Sequence, residues 1–445
     1  MKMNHIGPII LTFIAVIAFQ MNSSSQVVEL IKEEAVRQKG HSLELCMKLH
    51  RNPELSLQEI ETAKLMAAEL RKDGFDITTN FAGNNVIGIF KNGDGPTVML
   101  RCDMDALPIQ EKTGFEYAST KKMIDHNGKE VFVMHACGHD IHMSVWAGTI
   151  HSLVALKKHW KGTLMVLAQQ SEEYLNGADT VIEEGLFRKF PVPDYAMAYH
   201  ITPELEAGTI SINSGPVYAG VKTASITVFG KGGHGAGPQS CIDPIVIASR
   251  IVLDLQTIVS REISPFEPVV VTVGTIHGGT RPNITPDEVK MELTLRYYSD
   301  EVIEKVVQAI KRISNAASQM AGMPEDKFPD VEISSGEIPP VVNDEYLSSK
   351  MKEFTSSVIG LENIMTQMPS MGGEDFGLYG RTPENIPICL IRLGSTNPEW
   401  MKELKAQGQK PYPLHSPLMK PDYEKTIETG IKAMTANVIG LLKKD

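Results

Sequence analysis

Thr163-Leu164-Met165-Val166-Leu167 is too short for a helix and lacks the polar alternation of a strand with one wet face. It reads as a strand buried on both faces, the kind that fills the middle of a parallel sheet. Asn85-Val86-Ile87-Gly88-Ile89-Phe90, Thr97-Val98-Met99-Leu100 and Tyr195-Ala196-Met197-Ala198-Tyr199 read the same way. Helical patterns lie between such runs. Glu61 to Lys72 carries Leu65, Met66 and Leu70 at helical spacing and stops before Gly74, a residue suited to a left-handed cap. Alternation of this kind implies an α/β layer structure.

The middle of the chain has a different period. Val289, Met291, Leu293, Leu295 and Tyr297 alternate with polar neighbours, as do Ala224, Ile226 and Val228, which predicts sheets with one solvated face. A helix through Ile247, Ile251, Leu255 and Ile258 opens at Asp243-Pro244, a capping residue followed by proline in the first turn. A second helix runs through Ile303, Val306, Ile310 and Ile313. The order strand, helix, strand, strand, helix, strand is that of a ferredoxin-like unit. After Pro339-Pro340 the α/β pattern resumes, ending in a helix expected to be amphipathic (Ile427, Ile431, Met434, Val438, Leu441). The expected organisation is an α/β domain at 26–219 and 336–445 with an α+β domain inserted at 220–335.

Residues 1–25 stand apart. Lys2 and His5 precede the apolar run Ile9 to Phe19, and small polar residues including Ser23-Ser24-Ser25 follow. This layout is that of a secretory signal peptide, with export to the periplasm or the exterior as the expected localisation; the alternative is an N-terminal membrane anchor. The 445-residue chain has 43 Lys+Arg against 54 Asp+Glu, a net charge of −11, which argues against sequence-independent nucleic-acid binding. Its 42% hydrophobic and 22% charged residues exclude a disordered or collagen-like chain. Five cysteines, an odd number, leave at least one thiol outside any disulfide framework.

The chemistry gathers at the ends of the buried runs, where α/β sheets collect their ligands. In Met134-His135-Ala136-Cys137-Gly138-His139-Asp140, Cys137 and His139 are two apart, so an extended segment would point both the same way. A thiolate and an imidazole suit a borderline-soft divalent ion, although a buried Cys beside a capping His is the commoner meaning of the pair alone. Asp103 and Asp105 follow one strand, Ser171-Glu172-Glu173 another, and His200 a third. Each alone reads as a loop acid or a cap; together they suggest a metal site in which one glutamate ligates and its neighbour moves protons. That chemistry hydrolyses amides, peptides or esters.

These stretches resemble the aminoacylase/carboxypeptidase clan of metallopeptidases. More narrowly, they are similar to the amidohydrolase subfamily that includes hippurate hydrolase, N-acetyl-diaminopimelate deacetylase and the auxin-conjugate hydrolases. The resemblance rests on Leu49-His50-Arg51-Asn52-Pro53-Glu54, Leu100 to Pro108, Met134 to Asp140, Gln169 to Ala178, Gly230 to Pro238, Met371 to Phe376 and Leu414 to Met419, in the family's order. Cys102 stands where the family pattern has alanine and is expected to be a buried small residue.

The resemblance implies a two-metal exopeptidase-like catalytic domain and a lid that mediates homodimerisation. It implies two divalent ions, zinc, manganese, nickel or cobalt, held by Cys137, His139, Glu173, His200 and His415. Glu172 corresponds to the acid/base and Asp105 to a residue that orients a ligand. His234 corresponds to a lid histidine that stabilises the oxyanion in the partner's site, and Asn283 and Arg296 to contacts with the substrate carboxylate. The implied activity is hydrolysis of N-acyl amino acids. A metallo-carboxypeptidase or dipeptidase, and a non-catalytic metal- or amino-acid-binding protein, are the alternatives. Export would place the Cys137 thiolate in an oxidising compartment, where a bound metal would shield it from disulfide formation.

Overall fold

The computed structural model describes residues 7–334, 336 and 338–442, with side chains from Ser25 onward. The first six residues of the expected leader, and its side chains up to residue 24, lie outside the described residues. From Gly7 the backbone forms a helix, α1, that continues to Arg51. Among the described residues no helix is long and apolar enough to cross a membrane. Two compact units emerge: Met1–Gly215 with Asn343–Gln367 and Tyr379–Asp445, and Pro216–Val342 with Met368–Leu378.

The first unit is built on an eight-stranded sheet. Its strands are β1 (Asp76–Phe81), β2 (Asn85–Asn92), β3 (Thr97–Asp103), β4 (Gly162–Gln169), β5 (Tyr195–Glu206), β6 (Ile210–Ser211), β7 (Ile364–Met365) and β8 (Ile388–Thr396), in the order β1-β2-β4-β3-β5-β8-β6-β7. The central strands β4, β3, β5 and β8 are mutually parallel. The sheet is nevertheless mixed. β2 pairs antiparallel with both β1 and β4, because the connection from β1 to β2 is a tight turn too short for a parallel crossover. Its second half is only partly buried, unlike the central strands.

Helices α2 (Ile60–Lys72), α3 (His139–Ala155) and α4 (Tyr423–Leu442) complete the framework. α3 is buried from His139 to Leu153 and packs against α1 and α4. A side chain at Gly148 would come within 2.5 Å of Ser42 on α1 and 2.4 Å of Ile431 on α4, so glycine lets the three helices approach closely. The last helix is not the amphipathic element expected. Ile427, Ile431, Met434 and Val438 are buried, but so are Thr426, Thr429, Thr435 and Asn437. Helices flank it and β3 and β8 lie against it, leaving little of its circumference wet.

The second unit has a four-stranded antiparallel sheet in the order Val270–Gly278, Glu288–Tyr297, Gly220–Phe229, Asp330–Ile333. This is a ferredoxin-like sheet, with helices Pro244–Thr257 and Asp300–Met320 covering it. Asp243 caps the first helix by accepting from the Ile245 N–H at 2.9 Å. Ala224, Ile226, Val228, Met291, Leu293 and Leu295 face inward against Ile247, Ile251, Val306 and Ile310. The unit reaches beyond 220–335. Met368–Leu378, assigned from sequence to the larger domain, belongs here because the Ser370 N–H donates to Val217 at 2.9 Å and the Ala219 N–H donates to Ser370 at 3.0 Å.

Candidate metal centre and active site

Six of the residues singled out in the sequence converge in the first unit: Cys137, His139, Glu172, Glu173, His200 and His415. The route by which they meet differs from the sequence expectation at two points. Cys137 and His139 do not lie on an extended segment. Gly138 is left-handed (φ 82°), and His139 is already the first residue of α3. A Cβ at Gly138 would collide with Ile201 at 2.2 Å, so both the conformation and the space require glycine. His200 likewise lies within β5, which continues to Glu206 because its pairing with β8 carries on past it.

The glutamates sit on a sharply turned segment. Ser171 and Leu175 have φ values of 58° and 56°, uncommon for non-glycine residues. Glu59 anchors the turn by accepting from the Ser171 N–H at 2.8 Å, and the Asp105 carboxylate accepts from the Glu173 N–H at 2.9 Å. His415 is also left-handed (φ 64°), and its N–H donates to Ala136 at 2.8 Å. Its Nε2 reaches 3.3 Å from Cys137 Sγ and 3.4 Å from Glu173 Oε1.

Hydrogen bonds set the histidine tautomers. Nδ1 of His139 faces the Asp105 carbonyl at 2.8 Å, and Nδ1 of His200 faces the Ile201 carbonyl at 2.7 Å. A carbonyl only accepts, so both rings carry a proton on Nδ1 and turn Nε2 into the site. His200 Nε2 lies 3.4 Å from Cys137 Sγ. His139 Nε2 is buried without a hydrogen-bond partner, as are Glu173 Oε1 and Asp105 Oδ1. The Asp105 carboxylate also approaches His139 Nδ1 at 3.3 Å and accepts from Ser56 at 2.7 Å, so it stands behind the ligand ring.

His142 went unread in the sequence, although its spacing from His139 places both on one helical face. Its Nε2 accepts the Ile201 N–H at 2.9 Å, so Nδ1 carries the proton and donates to Asp103 at 2.6 Å. With Nε2 engaged, His142 supports the site rather than ligating. Arg101 was also missed; buried, it donates to Asp103 at 2.8 Å and to Gln169 at 3.0 Å. Cys102 is buried, as expected of a small residue on that strand.

The electrostatics favour a cation. Burial and the Glu173 and Glu172 carboxylates push the Cys137 thiol well above its usual range. Burial works against charge on His139, but Asp103 and Asp105 outweigh it and raise the ring to about 10. A proton there stands where a metal would otherwise balance the carboxylates. Burial, then His142, hold His200 well below its usual value, keeping it neutral and able to ligate. Burial and the Asp105 charge raise Glu59 to about 8. A thiol, two imidazoles and a carboxylate, with buried atoms of His139 and Glu173 lacking hydrogen-bond partners, form a donor set that fits divalent metal once the Cys137 and His139 protons leave. All five cysteines are free thiols.

The remaining predicted residues belong to the second unit. His234 is exposed on a two-residue strand whose partner strand begins at Ile284, next to Asn283. Its Nδ1 accepts the Ala236 N–H at 3.0 Å, which leaves the proton on Nε2 as a donor. The Gly235 N–H donates to the Asn283 carbonyl at 2.9 Å, so these two loops are neighbours. Arg296 lies half-buried on Glu288–Tyr297, its pKa lowered by burial.

The chain belongs to the M20 peptidases: the model for peptidase family M20/M25/M40 matches residues 99–435. It is 36% identical over 334 residues to an IAA-amino acid hydrolase of Arabidopsis thaliana, covering 75% of this chain and 72% of the relative. It is 33% identical over 401 residues to an N-acetyldiaminopimelate deacetylase of Oenococcus oeni, covering 89% and 97%. Among solved structures, a dinuclear metal-binding M20 peptidase of Bacillus subtilis aligns with a TM-score of 0.71 and 28% identity, covering 91% of this chain and 99% of that one. The protein is therefore a hydrolase of the M20 class with a metal-binding site, on a mixed α/β fold shared with dinuclear-metal relatives.

Proposed function

We propose that the protein hydrolyses the amide bond of N-acyl amino acids, of the acetyl- or benzoyl-amino-acid type. The observation that carries the reading is the pair of inward-facing Nε2 atoms of His139 and His200 beside Cys137 Sγ and the unpartnered Glu173 oxygen. Cys137, His139, Glu173, His200 and His415 would hold two divalent ions. The ions, when bound, supply Lewis acidity and make an attacking water acidic near neutral pH.

The chain's own residues do the rest. Glu172 takes a proton from the attacking water and returns it to the departing amine. Asp105 fixes His139 through the Nδ1 side, holding the ring in its ligating tautomer. His234, with its proton on Nε2, donates to the developing oxyanion, as a residue of a partner subunit in a homodimer formed through the second unit. Asn283 and Arg296 grip the amino-acid carboxylate, for which a planar guanidinium is the matching shape. The sequence of residues 1–25 supports export, and N-terminal sequencing of the secreted protein reads whether the leader is removed.

The test is a panel of acetyl- and benzoyl-amino acids alongside dipeptides, assayed with the full-length protein loaded separately with zinc, manganese, nickel or cobalt. Release of free amino acid from acyl-amino acids, abolished by chelator and restored by metal, is expected. Cleavage of dipeptides alone would replace this reading with a metallo-carboxypeptidase or dipeptidase. Metal binding without turnover of any substrate would leave a binding protein.

A further inference from the structure

A second histidine cluster lies among α1, α2 and α3, well away from the site above. His151 and His139 sit on the same helix twelve residues apart, which separates them by about 18 Å along its axis. Nε2 of His41 on α1 and Nε2 of His151 on α3 both converge on one oxygen of Glu69 on α2, at 2.8 and 3.0 Å. The two rings meet edge to face with centroids 5.4 Å apart. Glu69 and His151 are buried, whereas the His41 side chain is 37% exposed and opens the cluster to solvent.

Two features distinguish this arrangement from an ordinary ion pair. His151 Nδ1 is hydrogen-bonded to the Asp73 carboxylate, so a ring that gives up its Nε2 proton keeps the other one pinned. A carboxylate paired with the ring nitrogen opposite the ligating one is how metal-bound histidines are oriented. Second, the three donor atoms come from three separate helices and lie within 4.8 Å of one another. A tetrahedral ion with bonds of about 2.0–2.2 Å spans donors about 3.3–3.6 Å apart, a small expansion from the 2.8 and 3.0 Å at which the two histidines approach Glu69.

We propose that His41, Glu69 and His151 form a zinc site separate from the catalytic centre, with Asp73 orienting His151 and a fourth position open to water. Lys72 is its built-in competitor. The ammonium donates to both Glu69 oxygens, at 2.8 and 2.7 Å, and lies 3.3 Å from His41 Nε2. Zinc entry expels Lys72 into solvent, which its 49% exposed side chain allows, releases the Nε2 proton of His151 to water, and leaves His41 neutral with its one ring proton moved through water from Nε2 to Nδ1. The ion then ties α1, α2 and α3 together at one end.

The test is zinc titration of chelator-stripped, full-length protein against a chromophoric chelator, with bound zinc counted by elemental analysis. The wild type is expected to take up one equivalent more than His41→Gln, with the remaining equivalents unchanged. Lys72→Gln should tighten that extra equivalent by about threefold or more, since it removes a competing cation yet keeps a hydrogen-bonding group. Equal stoichiometry in wild type and His41→Gln would overturn the proposal. So would a Lys72→Gln variant whose zinc affinity is unchanged or weaker, the result expected if the cluster were a salt-bridge network alone.

Discussion

The two histidine clusters use similar residues in opposite electrostatic states. Around Cys137, buried donor atoms of His139 and Glu173 lack hydrogen-bond partners, and the Glu172 and Glu173 carboxylates both stand about 4 Å from His139 Nε2. Around Glu69, each imidazole nitrogen that faces inward already has a carboxylate, and Lys72 supplies positive charge. The difference shows what a structure can reveal about an intended cation. A site left unsatisfied by its own protein groups is built around something else, because buried polar atoms without partners are costly. A site satisfied by protons and lysine takes a metal only by exchange.

The largest expected effect sharpens the first half of this contrast. Glu172→Gln should leave metal content intact while kcat falls about 10²–10⁴-fold, the span of general acid–base catalysis. Elemental analysis beside a turnover assay checks it, and retained turnover would remove Glu172 from the proton-moving role. Next in size is His234→Ala, expected to lower turnover about 10²–10³-fold, as loss of one oxyanion donor does. Mixing it with Glu172→Gln subunits should restore part of the activity if the donor acts across a dimer. No recovery would confine His234 to its own subunit or to another task.

The smallest effect concerns the second cluster in chelator-treated protein. Burial opposes charge on His151, but hydrogen bonds to Asp73 and Glu69 outweigh it and raise the pKa from 6.5 to about 9. A pKa raised on folding stabilises fully below about pH 6.5, and the contribution fades as pH rises through about 9. His151→Gln should therefore lose up to about 2–3 kcal/mol near pH 6 and little above pH 10. Urea midpoints of both proteins across that range measure it. A gap that stays constant with pH would show that packing, not protonation, sets the contribution of His151.

Much of the site was legible because its residues sit at features the sequence marks. Glu172 and Glu173 follow the run that becomes β4, and Asp103 ends the run that becomes β3. His142 escaped notice because its role depends on which nitrogen accepts the Ile201 N–H, and that bond joins residues 59 positions apart. Arg101 reads as one more polar residue until burial pairs it with Asp103 and Gln169. The His41–Glu69–His151 cluster leaves no motif at all, since its members come from three helices whose mutual rotation is set by packing.

What the sequence determined by itself is whatever depends on local period and local spacing. Apolar runs without alternation specified buried strands, strict alternation specified the one-sided sheet of the second unit, and motif order specified the M20 family. The tertiary structure decided the rest. It extended β5 past His200 through pairing with β8, buried the last helix on nearly every side, and turned Gly138 left-handed against Ile201. It also set each histidine tautomer through carbonyls and amides contributed by other segments. Periodicity reports which side of an element is buried. Proton positions and ligand geometry are fixed by contacts distant in sequence, which only the packed chain brings together.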